Sequence, residues 1–129
     1  MIPLAIEYVI LVMLTVHFIS DFIMQSDHQA KQKSVSISAL TEHAFEYSLF
    51  MMFGFIGISG AFGHSTPIIA LYATGITLVA HWVTDYFTSR LNKRLWESGN
   101  THNFFVGIGF DQLLHAIQII LTIKFLYYV

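Results

Sequence analysis

Three pairs of a histidine and an aspartate, each four positions apart, stand in a chain with few other charges. They are His17 with Asp21, His81 with Asp85 and, in reverse order, Asp111 with His115. On an α-helix residues four apart share a face, so each pair presents an imidazole and a carboxylate together. His43 adds a fourth imidazole, with Glu42 and Glu46 beside it. Neutral imidazoles among carboxylates make up the nitrogen and oxygen set that divalent transition metals such as Zn, Mn or Fe take. The seven candidate ligands are His17, Asp21, His43, His81, Asp85, Asp111 and His115. Tetrahedral zinc takes four, so this set suits two metals sharing a carboxylate, or one metal ringed by carboxylates that orient its histidines. Glu42 and Glu46 are the candidate catalytic bases, and Gln25 and Gln112 are the candidates to orient substrate or water.

The elements that must position these residues are long and apolar. Of 129 residues 55% are apolar, 16% aromatic and only 11% charged, where a soluble domain carries roughly 25% charged residues. A globule this small leaves about a third of its unfolded surface exposed, and 14 charges would leave most of that surface greasy. The composition therefore predicts an all-α integral membrane protein, a four-helix transmembrane bundle forming a single domain over 1–129. Four stretches reach the roughly 20 residues that a span needs: Ile2 to Met24, Ala39 to Phe62, Pro67 to Thr88 and Phe104 to Tyr127. Between them lie a polar segment from Gln25 to Ser38, a tight turn from Gly63 to Pro67 and a second polar segment from Ser89 to Asn103. The first stretch has no basic leader and no small-residue cleavage site, so it reads as a retained span and not a signal peptide. A net charge of -2 without a basic stripe argues against nucleic acid as a partner, and the absence of Cys removes disulfides and thiolate chemistry.

Lys31, Lys33, Arg90, Lys93 and Arg94 fall in the first and third connections, which places that end in the cytoplasm and both termini on the other side. Spans one and three then carry their pairs near their ends, and spans two and four near their starts. All the candidate ligands converge in the cytoplasmic half, roughly 5 to 15 Å below the boundary at 1.5 Å rise per residue. No Lys or Arg lies at that depth in any span, so the carboxylates call for a cation from outside the chain. Leu91, Leu95 and Trp96 alternate with the third-loop cations as a short helix in the headgroup layer would, and Tyr127 and Tyr128 suit the opposite interface. Gly54, Gly57, Gly60 and Gly63 form a ridge of small residues along span two, a surface for helix packing that leaves room for a homodimer. His28, His64 and His102 fall in loops and turns and read as solvent-exposed.

The run HFISDFIMQSDHQAKQK from His17 to Lys33, the lone His43, HWVTD from His81 to Asp85 and DQLLH from Asp111 to His115 resemble a family of small bacterial and phage inner-membrane proteins of unknown function. The resemblance covers nearly the whole chain and implies residence in a bacterial cytoplasmic membrane, with no activity attached. The family's third block carries a Lys soon after its H-x3-D, where this chain next has Arg90. The chain is more loosely similar to small membrane-bound metal-dependent hydrolases.

The expected function is metal-dependent hydrolysis of a membrane lipid or a lipid-linked phosphate or ester, with one or two divalent ions lowering the pKa of bound water. Two alternatives use the same residues. In a divalent-metal or proton transporter the polar layer would be a pathway, although the outer half offers only Glu7, Thr74 and Thr77 as polar steps. In an interaction protein the metal would only staple the helices together.

Overall fold

The computed structural model describes residues 5–64 and 67–128, and among these the only regular elements are helices. α1 (Ile6–Phe18) runs directly into a π-helical stretch, Ile19–Ile23, closed by the Met24 amide on the Ile19 carbonyl at 2.9 Å. A short helix α2 (Asp27–Gln32) follows, then α3 (Ile37–Ala61), α4 (Ile68–Glu97) and α5 (Thr101–Tyr127). The expected start of the first span at Ile2, and part of the Gly63 to Pro67 turn, lie outside the described residues.

Local chemistry sets the helix ends. Ser26 Oγ accepts from the Gln29 amide while Gln29 Oε1 accepts from the Ser26 amide, both at 3.2 Å, a reciprocal cap on α2. Ser36 accepts from the Ala39 amide at the start of α3, and Asn100 from the Asn103 amide at the start of α5. Gly63 and Gly99, with φ of 75° and 72°, supply the left-handed turn that ends α3 and α4.

α1 with its π stretch, α3, α4 and α5 are each long and apolar enough to cross a membrane. At 30 residues α4 is about 45 Å long, against a hydrocarbon core of about 30 Å. This corrects one expectation: the third helix does not stop near Thr88, and residues 89–97 form no helix separate from it. α4 continues unbroken to Glu97, and residues 98–100 alone turn the chain into α5. Leucine, lysine and arginine are good helix formers, and Lys93 pairs with Glu97 one turn on, so the helix outlasts its apolar stretch.

α4 lies along both α3 and α5, α1 packs on α3 and α5, and α2 rests against α3. The interior divides by height. Toward the α1 start and α5 end it is apolar, built on Val9, Met13, Met51, Phe55, Ala70, Ala73, Ile119 and Ile123. Tyr127 belongs to this half: its hydroxyl meets Ser59 Oγ at 2.9 Å and donates to the Phe55 carbonyl at 3.2 Å, so it is a bundle residue and not the interface anchor expected. Toward the α2 end the interior is polar. Hydroxyls along the spans bond the carbonyl four residues back, as in Thr15, Ser20, Ser48 and Thr74, which satisfies them without water. Along the glycine ridge Gly54 is closely approached by Met13, whereas Gly57 and Gly60 face open space.

Candidate metal centre

The polar half gathers side chains from all four long helices. Asp21 projects from the π stretch, His43 from α3, His81 and Asp85 from α4, and each is at most 3% exposed. Four ligand atoms held about 2.0 to 2.1 Å from a tetrahedral ion stand about 3.3 to 3.4 Å from one another. His43 Nε2 lies 3.1 Å from His81 Nε2, 3.1 Å from Asp21 Oδ1 and 3.3 Å from Asp85 Oδ2. His81 Nε2 lies 3.6 Å from Asp21 Oδ1 and 3.5 Å from Asp85 Oδ2. Five of the six edges of a tetrahedron therefore scatter around the value a metal requires, and the residues fit the ion.

A second group adjoins the first. One atom each of Asp21, Asp111 and His115 lie within 4.8 Å of one another, and His115 Nε2 is 3.4 Å from Asp111 Oδ1. His115 Nε2 also meets Asp85 Oδ1 at 3.1 Å, so the two oxygens of Asp85 face the two groups, and Asp21 belongs to both. Shared carboxylates of this kind bridge paired metals.

His17 stands beside these groups and in neither of them. Its Nε2 is 2.8 Å from Gln112 Oε1, which can only accept, so Nε2 donates and Nδ1 accepts from the Tyr47 hydroxyl at 2.8 Å. Gln112 Nε2 then donates to Asp21 Oδ2 at 3.2 Å and Asp111 Oδ2 at 3.1 Å. The chain Tyr47, His17, Gln112 thereby aims two carboxylates. Thr88 adds a donor to Asp111 Oδ1 at 2.5 Å. The His81 ring is sandwiched between Tyr47 at 3.7 Å and His115 at 4.3 Å, which fixes its plane.

The sequence reading found no cation at this depth, and the structure supplies one. Lys33, just past α2, reaches down so that Nζ lies 2.9 Å from Asp85 Oδ2 and 3.5 Å from His43 Nε2. Burial pulls this ammonium toward its neutral form, but Asp85 first and Asp21 next pull the other way, and its pKa ends above the ordinary lysine value. No span carries Lys33, so counting charges within spans overlooked it.

Glu42 and Glu46 turn away from the centre: both accept from Gln29 Nε2, at 3.4 and 2.8 Å, and tie α2 to α3. Gln25 lies on the wall of a cavity of about 610 Å³ that opens against Asp21, Asp85, Asp111 and Gln112. His28, His64 and His102 are exposed. Sequence reasoning missed Lys33, Gln29, Tyr47 and Thr88. The S-x-x-Q cap from Ser26 to Gln29 was a readable sign that the first connection is folded.

Fold and site together define a four-helix membrane protein with a buried His/Asp centre able to hold a metal ion. The chain belongs to DUF3307, a family of proteins of unknown function, whose model matches residues 9–129. No curated protein and no solved structure matches it.

Proposed function

We propose that this protein is a metal-dependent hydrolase of a bacterial inner membrane, acting on a phosphate or ester of a lipid or lipid-linked molecule. The observation that carries the proposal is the near-tetrahedral spacing of His43, His81, Asp21 and Asp85 beside a cavity walled by the carboxylates of Asp21, Asp85 and Asp111. Charge supports it: three buried or half-buried carboxylates face one ammonium, Lys33, and a divalent ion completes the balance. His43, His81, Asp21 and Asp85 would hold this ion, which leaves the Asp111 carboxylate outside its coordination.

A bound Zn, Mn or Fe ion would polarise the phosphoryl or acyl oxygen and acidify water. The chain's own residues supply the rest. Asp111 has the most open carboxylate of the three, 13% exposed against 3% and 2%, and it lines the cavity, so it is the group placed to take a proton from water. The water oxygen bonds to phosphorus or to the acyl carbon, and the alcohol leaves with a proton. His17 and Gln112 hold Asp21 and Asp111 in position. Glu42 and Glu46, outside both metal groups and the cavity wall, have no such contact.

The test is elemental analysis of protein purified in detergent without chelator, followed by assay of alcohol or phosphate release from lipid phosphates. At least one equivalent of transition metal, with release abolished by chelation and restored by metal, is expected. Metal without any hydrolysis would favour the stapled bundle, and less than half an equivalent would refute the proposal.

A further inference from the structure

Lys33 and a metal ion compete for the same atoms. The Lys33 ammonium nitrogen lies 2.9 Å from Asp85 Oδ2 and 3.5 Å from His43 Nε2, and these two atoms, 3.3 Å apart, form one edge of the candidate tetrahedron. An ion held about 2.0 to 2.1 Å from both atoms stands within about 4 Å of that nitrogen. Two cations so close in a buried site repel strongly. Lys33 therefore gives up Asp85 Oδ2 when an ion takes it.

The cavity of about 610 Å³ is the space open to the released ammonium. Lys33 lines it with a side chain 18% exposed, and a lysine stem is flexible. Asp111, on the same wall, already accepts from Thr88 and Gln112. Lys31, Lys33 and Lys93 line the cavity together with Asp21, Asp85 and Asp111 and cancel them formally, so a divalent ion leaves the lining positive. Lys93 is held by Glu97, and the exposed Lys31 is screened by solvent, which leaves Lys33 as the cation beside the centre. A neutral carboxylic ester has no charge to meet such a lining. A phosphate has charge and several acceptor oxygens, enough to face an ion and an ammonium together. Phe22, Trp96, Phe104 and Phe105 complete the wall and suit an apolar tail.

We infer that the centre takes the anionic phosphate of a lipid and not a neutral ester, and that Lys33, displaced from Asp85 by the ion, is the residue that binds this phosphate. The inference narrows the substrate class of the proposed hydrolase and rests on that reading for the presence of the ion.

The experiment titrates short-chain phosphatidic acid, diacylglycerol of the same chain length and inorganic phosphate into zinc-loaded and zinc-free protein in detergent, by calorimetry, with zinc itself titrated into the zinc-free protein. Zinc-loaded wild type should bind phosphatidic acid about tenfold more tightly than it binds diacylglycerol or inorganic phosphate, and about tenfold more tightly than zinc-free protein does, each a difference of about 1.4 kcal/mol. Lys33→Met should lower the phosphatidic acid affinity of the zinc-loaded form about tenfold while zinc affinity holds or rises. A folding defect lowers both, so the opposite signs identify the role. Lys33→Gln, which keeps a donor for Asp85 without the charge, should repeat them. An unchanged phosphatidic acid affinity or a weaker zinc affinity in both variants overturns the assignment to Lys33. Equal affinity of the wild type for phosphatidic acid and diacylglycerol overturns the choice of phosphate over ester, and equal affinity for inorganic phosphate overturns the lipid source. No zinc binding by the wild type overturns both readings, whereas the expected binding pattern without phosphate release overturns the hydrolysis and leaves the anion site standing.

Discussion

The two halves of the bundle interior solve the same problem in opposite ways. Lipid tails are as apolar as leucine, so burying hydrophobic side chains inside a membrane bundle gains little, and helices associate by close packing and interhelical hydrogen bonds. The dry half relies on packing: Met13, Met51, Phe55 and Ile123 are wholly buried, and Ala70 and Ala73 let the helices approach. The polar half relies on charge and hydrogen bonds, with His17, His43, His81, His115, Asp21 and Asp85 at 1% to 5% exposure. Packing can hold four helices together without ionisable groups. The polar half therefore carries a charge burden that the fold does not need, which is the mark of a site.

The largest effect is expected from His81→Ala. It deletes one corner of the tetrahedron and the ring stacked between Tyr47 and His115. Metal content should fall below about a tenth of an equivalent, since loss of even an outer-shell partner costs about 10- to 100-fold in metal affinity or activity and a direct ligand matters more, and the proposed hydrolysis should fall with it. His64→Ala, at an exposed residue, should change neither. In the dry half Phe55→Ala should do the reverse: a loss of about 2 kcal/mol of stability by thermal or denaturant unfolding, the cavity cost without the water-transfer part, with metal stoichiometry retained. If Phe55→Ala also empties the metal site, the two halves are not separable.

Lys33→Met sharpens the comparison further. In metal-free protein it leaves the Asp85 carboxylate without its ammonium, and the variant should be less stable by about 1 to 3 kcal/mol. Adding metal should narrow that gap, because the ion supplies the positive charge; a gap that stays constant would show that Lys33 and the metal do not share the carboxylate. The raised Lys33 pKa gives the matching pH dependence. Its contribution to stability is full below the ordinary lysine value and is lost as pH rises through the higher folded value, so the wild-type advantage over Lys33→Met should fade at strongly alkaline pH. The smallest effect separates Gly54 from Gly57. A methyl at Gly54 would meet Met13 Sδ at 2.7 Å, and one at Gly57 meets nothing within 4 Å. Gly54→Ala should be less stable than Gly57→Ala by about 1 kcal/mol in thermal unfolding.

What could be read from the sequence follows a physical division. Apolar runs announce spans, so four helices were legible, and helical spacing of four announces shared faces, so His81 with Asp85 and Asp111 with His115 were too. Helix continuity is not a matter of hydropathy, and α4 therefore ran past Thr88 through Arg90, Lys93 and Arg94 to Glu97. Contacts across sequence were harder. Lys33 meets a carboxylate 52 residues away from a connection whose fold only the Ser26 cap hinted at. His17 shares the four-residue spacing with Asp21, but a π stretch begins directly after Phe18, and its nitrogens go to Tyr47 and Gln112 instead. Tyr127 looked like an interface residue because tyrosines favour that layer, and only packing against Ser59 and Phe55 shows otherwise.

X-ray absorption at the edge of the metal that co-purifies with the wild-type chain addresses the central claim most directly. Coordination by two imidazole nitrogens and at least two carboxylate oxygens at about 2.0 to 2.1 Å, with the imidazole signature reduced in His43→Ala, is the predicted result. A spectrum without imidazole scattering, or one unchanged by His43→Ala, would contradict it.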